Sequence, residues 1–332
     1  MKYRREIDGL RAIAVLPVIL FHAGFEWFSG GYIGVDVFFV ISGYLITTII
    51  INEMDGEGFS IAKFYERRAR RILPALFFVM LCCIPFAVLW MVPSQLKDFS
   101  QAMVAISFFA SNILFWKKTD YFAPAAEESP LLHTWTLAVE EQFYILFPLL
   151  ILGLWRFGKN KVLFSIIILT ALSLVLSEWG WRNQPSANFY LLPTRAWELG
   201  VGAICAFWIQ KKSVSGSNLL SATGMALILL SVLVYDKETP FPSIYALAPV
   251  IGSALIVLYC SSATVVGKVL SSRPLVGVGL ISFSAYLLAS TAIRFCSYTN
   301  AGASIRGADD NTRSHLNYIG MANLAICGAA LP

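Results

Sequence analysis

Long apolar stretches recur along this chain of 332 residues, and short polar segments separate them. A helix needs about 20 apolar residues to cross the hydrocarbon core of a bilayer, so each such stretch predicts one membrane span. The candidate spans are 10–27, 33–52, 73–92, 101–116, 142–156, 162–180, 189–209, 219–235, 244–260 and 275–290. The pattern predicts an all-α fold, a polytopic integral membrane helix bundle with about ten transmembrane helices.

The composition supports this class, because 57% of the residues are hydrophobic and only 14% are charged. The net charge of +5 comes from basic residues in short loops and not from an extended patch, which argues against nucleic-acid binding. The six cysteines lack the spacing of metal ligands and lie mostly in apolar spans. We therefore expect no disulfide framework and no metal site.

The distribution of basic residues conflicts with simple alternation of the spans. The positive-inside rule places the arginine-rich loop 53–72 in the cytoplasm, together with the basic N-terminus. Alternation of the spans then puts the basic segments 156–161 and 211–212 on the opposite side. One additional crossing or a re-entrant segment within 117–141 removes the conflict. We predict that this segment is partly embedded in the membrane and lines the active site, since irregular backbone at that depth must be buried or line a cavity.

The most informative motif of the chain is SPLLHTWTLAVEEQFY at 129–144, which runs directly into an apolar segment. A charge at bilayer depth costs roughly 2.5–3.5 kcal/mol, so Glu140 and Glu141 are expected to face a cavity, a partner or a substrate. The alternative is an interfacial helix start, where the helix dipole favours acids. A continuous helix would stack His133 over both glutamates, because they follow it by about two helical turns.

Several motifs, in a fixed order, carry a resemblance to a known family. They are Asp8–Ala12 followed by Phe21-His22, Gly30–Thr47, Phe64–Pro74, the motif 129–144, and Arg195–Gly200. With these motifs the chain resembles the acyltransferase-3 family of bacterial membrane O-acyltransferases, from its first residues to about Leu287. The resemblance implies transfer of an acyl group, usually acetyl, from cytoplasmic acyl-CoA to a hydroxyl of a cell-surface glycan such as lipopolysaccharide O-antigen.

The same resemblance implies a multi-pass protein of the bacterial inner membrane. Its expected partners are acetyl-CoA as donor substrate, a lipid-linked or nascent polysaccharide as acceptor, and membrane lipid, with no tightly bound cofactor. The alternatives are a polytopic transporter or flippase, and an inactive product of a frameshifted acyltransferase gene. The lack of a visible internal repeat weakens the transporter alternative.

Arg11 and His22 are eleven positions apart, about three helical turns, and therefore share one face of the first helix. An imidazole with its ordinary pKa of about 6.5 is suited to remove a proton from a sugar hydroxyl. The resemblance implies a functional role for this pair, so we assign His22 as the general base. Arg11 then orients His22 or meets a phosphate. A structural polar group is the competing interpretation of His22.

Arg67, Arg68, Arg70 and Arg71 are the candidate cofactor-binding residues. On a helix Arg67, Arg70 and Arg71 share a face, so their guanidinium groups are predicted to converge on the phosphates of coenzyme A. Ordinary positive-inside anchoring is the alternative. The sequence has no glycine-rich nucleotide motif, which argues against a Rossmann or P-loop site.

Three further charged residues lie within apolar spans. Asp36 either orients Arg11 or His22, or pairs with an arginine that makes its burial tolerable. Arg195 and Glu198 are three positions apart, which fits either a helical ion pair or a cavity lining.

The resemblance stops near Leu287, which predicts two regions: 1–287, an acyltransferase-3-like membrane domain incomplete at its C-terminal end, and 288–332, an aberrant tail. A consistent choice of codons for 288–299, read one base later, encodes W-H-Q-P-L-F-A-F-A-R-I-R, the continuation usual in the family. We therefore expect a frameshift near Leu288. The polar run 302–317, which fits no membrane span, agrees with this expectation.

Overall fold

The computed structural model describes residues 3–56, 58–121, 129–212, 214–236 and 238–306. This part of the chain is helical and contains no strand, which confirms the predicted all-α class. Its α-helices are α1 (Arg5–His22), α2 (Gly34–Asp55), α3 (Ile61–Trp90), α4 (Pro93–Ser107), α5 (Ser111–Tyr121), α6 (Thr134–Trp155), α7 (Lys159–Asn183), α8 (Pro185–Tyr190), α9 (Leu192–Lys211), α10 (Asn218–Val234), α11 (Leu247–Tyr259), α12 (Val265–Leu270) and α13 (Arg273–Arg306). Short 3₁₀ helices cover Glu26–Phe28, Gly31–Ile33 and Ile244–Ala246.

Five helical segments of the described chain are long and apolar enough to cross a membrane. They are Gly31–Asp55, Ile61–Trp90, Thr134–Trp155, Lys159–Asn183 and Arg273–Phe295. Two shorter apolar segments, Asn218–Val234 and Ile244–Tyr259, accompany them. A helical membrane bundle is therefore confirmed, whereas helix length and composition do not establish the predicted number of spans.

Close backbone contacts hold the helices that surround the site. Helices α2 and α9 touch at Gly43, where a Cβ atom would lie 1.9 Å from the carbonyl oxygen of Leu199. Helices α1 and α13 touch in the same way at Gly279, whose Cβ would lie 1.8 Å from the carbonyl oxygen of Asp8. Only glycine permits such an approach, and small residues are the usual means of close helix packing in membranes.

One end of the bundle collects most of the basic residues, and we call it the basic end. There the last turn of α2 meets the first turn of α7 through a 2.5 Å ion pair between Asp55 and Lys159. Gln210, near the end of α9, donates to Asn52 at 3.0 Å, and Arg67 pairs with Glu53. The start of α1 joins this end because Arg4 donates to the carbonyl oxygen of Cys260. The loops that alternation placed on opposite sides therefore lie together.

Helices α4 and α5 resolve the topological conflict in a way that the sequence did not predict. They have 15 and 11 residues, each shorter than the roughly 20 needed to cross a bilayer, and a turn at Phe108–Ala110 joins them. Lys118 pairs with Asp98 across the hairpin at 2.6 Å, and Gln142 of α6 donates to the carbonyl oxygen of Phe109 at 2.9 Å. The predicted span 101–116 is therefore wrong, and the chain turns back earlier than 117–141.

The physical reason is that the turn is apolar, with Phe109 in the left-handed region at φ 51°, so hydropathy gives no sign of it. A buried side-chain amide satisfies the exposed carbonyl group instead. Residues 122–128 of the predicted embedded segment lie outside the described residues. The motif that follows them forms a tight turn and then one continuous helix, α6.

Helix α13 runs through Leu288 without interruption and continues to Arg306. Ser290 and Phe295, on the far side of the predicted boundary, are buried against the bundle. Residues 307–332, including most of the polar run, lie outside the described residues. The frameshift near Leu288 stays a prediction.

Candidate active site

A cavity of about 420 Å³ lies between α1, α2, α3, α6 and α13, and we call it the central cavity. Toward the basic end its wall carries Arg11, Arg68 and Arg71. Deeper in the bundle the wall includes Thr136 and Tyr286, and apolar side chains line much of the remainder. The cavity thus offers cationic groups at one end and neutral hydroxyl groups at the other.

The arginines of α3 divide into two sets with different surroundings. Arg68 and Arg71 line the central cavity. Arg67 pairs with Glu53, and Arg70 pairs with Glu66 on its own helix with 79% of its side chain exposed. The predicted face of 67, 70 and 71 is therefore wrong. Helical spacing allows either the face with 67, 70 and 71 or the face with 68 and 71 to turn inward. The packing of α3 against α6 and α13 selects the second.

The four arginines of the cavity are only partly neutralised, and Arg4 pairs with Glu6 at 2.8 Å. Arg11 donates to Asp8 at 3.2 Å, and Arg68 donates to Glu141 at 3.3 Å. Arg71 lines the same wall and forms no ion pair or side-chain hydrogen bond within the described residues. Three of the four arginines are thus held in ion pairs, and Arg71 offers a guanidinium group that can bind an anion.

Glu140, which is half-buried, and Glu141, which is buried, lie about two turns inside α6, so they do not mark an interfacial first turn. Glu140 lines the central cavity and accepts hydrogen bonds from Ser42 at 3.0 Å and from Tyr144 at 3.3 Å. Glu141 holds Arg68, whose guanidinium also lies 4.0 Å from the centre of the Tyr144 ring. The two carboxylates thus belong to the cationic part of the site.

His22 ends α1 and has a defined tautomer. Its Nδ1 lies 2.8 Å from the carbonyl oxygen of Val18, and a carbonyl group only accepts, so Nδ1 carries the proton. The lone pair on Nε2 is then available to accept a proton from a substrate. Arg11 is about 16 Å from His22 along the axis of α1, so it cannot orient the imidazole. Its place is at the anion-binding wall.

His133 immediately precedes α6 and is 2% exposed. Its ring packs edge-on against Tyr286 with the centroids 5.4 Å apart. The predicted stacking of His133 over Glu140 and Glu141 is wrong. Seven or eight residues of helix separate the groups by about 10–12 Å along the axis, which is beyond the reach of these side chains. His133 is instead placed against the ring of Tyr286.

A second charged cluster lies outside the cavity wall. Arg195, 1% exposed, pairs with Asp36 at 3.3 Å and with Glu198 at 2.9 Å. The ring centres of Phe39, Trp135, Phe189 and Phe241 surround its guanidinium at 5.4–5.9 Å. Asp36 therefore pairs with an arginine, as one of the two interpretations held, and touches neither Arg11 nor His22. The cluster ties α2 to α9 behind the cavity.

Sequence reasoning did not single out Ser42, Tyr144 and Tyr286, which the structure places on the cavity wall. Ser42 and Tyr144 donate to Glu140, and Tyr286 contacts His133. Each lies in a segment that the sequence analysis noted for its resemblance or its place at the end of the matching region. A hydroxyl group in an apolar span was the available signal, but it does not tell which helix face is buried.

Comparison with known proteins identifies similar sequences. A family model described as an acyltransferase domain matches residues 4–331. The chain is 33% identical to the peptidoglycan O-acetyltransferase OatA of Listeria monocytogenes, over 86% of this chain and 49% of that protein. It is 33% identical to the O-acetyltransferase OatA of Staphylococcus aureus, over 86% and 50% of the two chains. It is 35% identical to the putative peptidoglycan O-acetyltransferase YrhL of Bacillus subtilis, over 86% and 48%.

The chain spans about half the length of these curated relatives. No solved structure matches it.

Proposed function

The chain belongs to the acyltransferase family whose domain model matches residues 4–331, and we propose that it transfers an acetyl group from cytoplasmic acetyl-CoA to a hydroxyl of a cell-surface glycan. The names of the relatives support acetyl as the group and a glycan as the acceptor. They favour peptidoglycan over the lipopolysaccharide O-antigen that the sequence suggested. The protein would work in the cytoplasmic membrane, with its basic end toward the cytoplasm.

The observation that carries this proposal is the arginine wall of the central cavity. Acetyl-CoA is polyanionic, and guanidinium groups bind phosphate oxygens in pairs of parallel hydrogen bonds. Arg71 forms no ion pair among the described residues, and it lines the cavity together with Arg11 and Arg68. By the positive-inside rule this wall faces the compartment that contains acetyl-CoA. The donor would therefore enter here with its phosphates on the arginines.

The apolar part of the cavity would then receive the pantetheine arm and the acetyl group. The arm has to extend from the level of Arg11 toward His22, a distance of about 16 Å along α1. The apolar side chains of the cavity suit a neutral, flexible arm, and exclusion of water by the bound arm would keep the thioester from hydrolysis. The two histidines lie at the far side of the bundle from the arginine wall, where an acceptor outside the membrane would arrive.

The chemistry requires removal of one proton. Nε2 of His22 accepts the proton of the glycan hydroxyl while the oxygen forms a bond to the thioester carbonyl carbon. Collapse of the tetrahedral intermediate breaks the carbon–sulfur bond, and the imidazolium returns the proton to the leaving thiolate. The His133 ring, which lies against the ring of Tyr286, would make a stabilising contact to the oxyanion. No metal or bound cofactor enters these steps.

An assay in vesicles, with donor and acceptor on opposite faces of the membrane, tests the proposal. The protein is reconstituted in vesicles, labelled acetyl-CoA is supplied at the basic end, and peptidoglycan fragments or lipid-linked O-antigen units are supplied at the other face. We expect label in alkali-labile ester on the glycan, and the preferred acceptor identifies the polymer. Absence of acetyl transfer to either acceptor by well-folded protein would refute the proposal. Movement of the glycan without acetyl-CoA would support the transporter alternative.

The division of the arginines permits a matched test of donor binding. Arg68→Lys with Arg71→Lys keeps the charge but loses the bidentate geometry at the cavity, so KM for acetyl-CoA is expected to rise about tenfold or more. Arg67→Lys with Arg70→Lys makes the same chemical change on the outward face of the same helix and is expected to leave KM unchanged. Both are measured as initial rates at limiting acetyl-CoA. Equal KM values for the two double variants would contradict donor binding by the α3 arginines and leave positive-inside anchoring as their only role.

A further inference from the structure

We propose that the Tyr286 hydroxyl donates a hydrogen bond to the acetyl carbonyl oxygen as that oxygen becomes negative, which makes Tyr286 a catalytic residue. This inference rests on the proposed acetyl transfer and adds a named oxyanion donor to it. Tyr286 lies on α13, which packs along α1, and its side chain lines the central cavity at the end away from the arginines.

The Tyr286 hydroxyl lies beside His133. Its oxygen lies 3.1 Å from the carbonyl oxygen of His133 and 3.2 Å from the hydroxyl oxygen of Thr136. The Tyr286 ring meets the His133 ring edge-on, with the planes at 89°. His22 ends α1 and His133 precedes α6, so the proton acceptor and the two neutral donors lie toward the same end of the bundle, away from the basic end.

The carbonyl oxygen of His133 does not need the Tyr286 proton, because other donors already satisfy it. The carbonyl oxygen of His133 already accepts from the Thr136 hydroxyl at 3.0 Å and faces the Thr136 backbone N–H at 3.4 Å. A carbonyl oxygen has two lone pairs, so these two donors satisfy it without tyrosine. The Tyr286 O–H can therefore rotate into the cavity without leaving a buried polar group unpaired.

A donor in this position acts on the charge that develops during acyl transfer. The thioester carbonyl enters from the arginine end and is attacked near His22, so its oxygen gains charge beside His133 and Tyr286. The surroundings are largely apolar, which strengthens a hydrogen bond to an anion relative to one in water. The Tyr286 hydroxyl and the His133 ring would together form a two-donor oxyanion site, with neither donor itself charged.

Tyr286→Phe tests the inference because it keeps the ring and its contact with His133 and removes only the donor. We expect kcat to fall about 10²–10³-fold, as for the loss of one oxyanion-hole donor, with KM for acetyl-CoA unchanged. The matched control is Tyr235→Phe, since Tyr235 also donates to a backbone carbonyl, that of Tyr245 at 3.0 Å, but on an exposed loop. This control is expected to leave kcat at the wild-type value.

The outcomes separate the two proposals. A wild-type protein that transfers acetyl, together with a Tyr286→Phe protein of equal kcat, would overturn the role of Tyr286 and leave the acetyl transfer standing. A loss of activity in Tyr286→Phe explained wholly by less folded protein, as measured by thermal unfolding, would also overturn it. A wild-type protein without acetyl transfer would refute the proposed function itself. A selective fall in kcat with normal unfolding and normal KM supports the inference.

Discussion

His22→Ala is expected to lower acetyl transfer about 10²–10⁴-fold, the contribution of a positioned general base, while the protein stays in the membrane. The reason lies in the fixed tautomer. The carbonyl oxygen of Val18 holds the proton on Nδ1, so Nε2 is a prepared acceptor at the end of α1. No large loss of stability is expected, because His22 is the last residue of its helix and is only partly buried.

The measurement is the initial rate of label transfer to glycan, normalised to the amount of protein extracted from membranes. Comparison with His133→Ala separates the base from the oxyanion donor. Loss of the base should abolish the rise of the rate with pH that titration of His22 produces, whereas loss of the donor should lower the rate and leave the shape of the profile intact. Near-normal transfer by His22→Ala would move the base role to His133 or remove it altogether.

Arg195→Met is expected to destabilise the folded protein by about 3–5 kcal/mol, the cost of removing one partner from a buried ion pair. Asp36 and Glu198 would be left without their cation, at 0% exposure. The cluster also joins α2 to α9, whose contact at Gly43 positions one wall of the central cavity. We therefore expect little folded protein and a lower unfolding temperature in detergent.

The matched control is Arg182→Met, which breaks an exposed i,i+4 pair with Glu178 and should cost about 0–1 kcal/mol. Glu198→Gln is a second comparison, because it leaves the Asp36 carboxylate to neutralise the Arg195 guanidinium. Its effect is expected to be much smaller than that of Arg195→Met. Unfolding temperatures that are equal for Arg195→Met and Arg182→Met would contradict a structural role for the cluster.

Local features of the sequence were sufficient for the elements that depend on local chemistry. Helix formation across a membrane depends on the length and apolarity of one segment, so the windows located α2, α7 and α10 nearly at their observed positions. The predicted spans for α3 and α6 were too short. Arg67–Arg71 and Glu140–Gln142 lower the local hydropathy, although they belong to continuous helices. Charge within a helix is compatible with the membrane wherever a partner neutralises it.

The misassigned hairpin has a different origin. The turn between α4 and α5 consists of apolar residues, and its carbonyl groups are satisfied by Gln142 from another helix. Helix ends marked by glycine, proline or a capping side chain can be read from sequence, whereas this one depends on a partner 33 residues away. Hydropathy therefore joined two short helices into one span.

By itself the sequence determined the membrane class, the family resemblance, and the residue types of the site: His22, His133, and the arginines and glutamates that accompany them. Only the tertiary structure decided which groups meet. It turned Arg68 and Arg71 inward, gave Asp36 a partner 159 residues away, and placed His133 beside Tyr286 instead of over Glu140. Helical periodicity offers several equivalent faces, and the face that becomes buried is selected by contacts between helices distant in sequence.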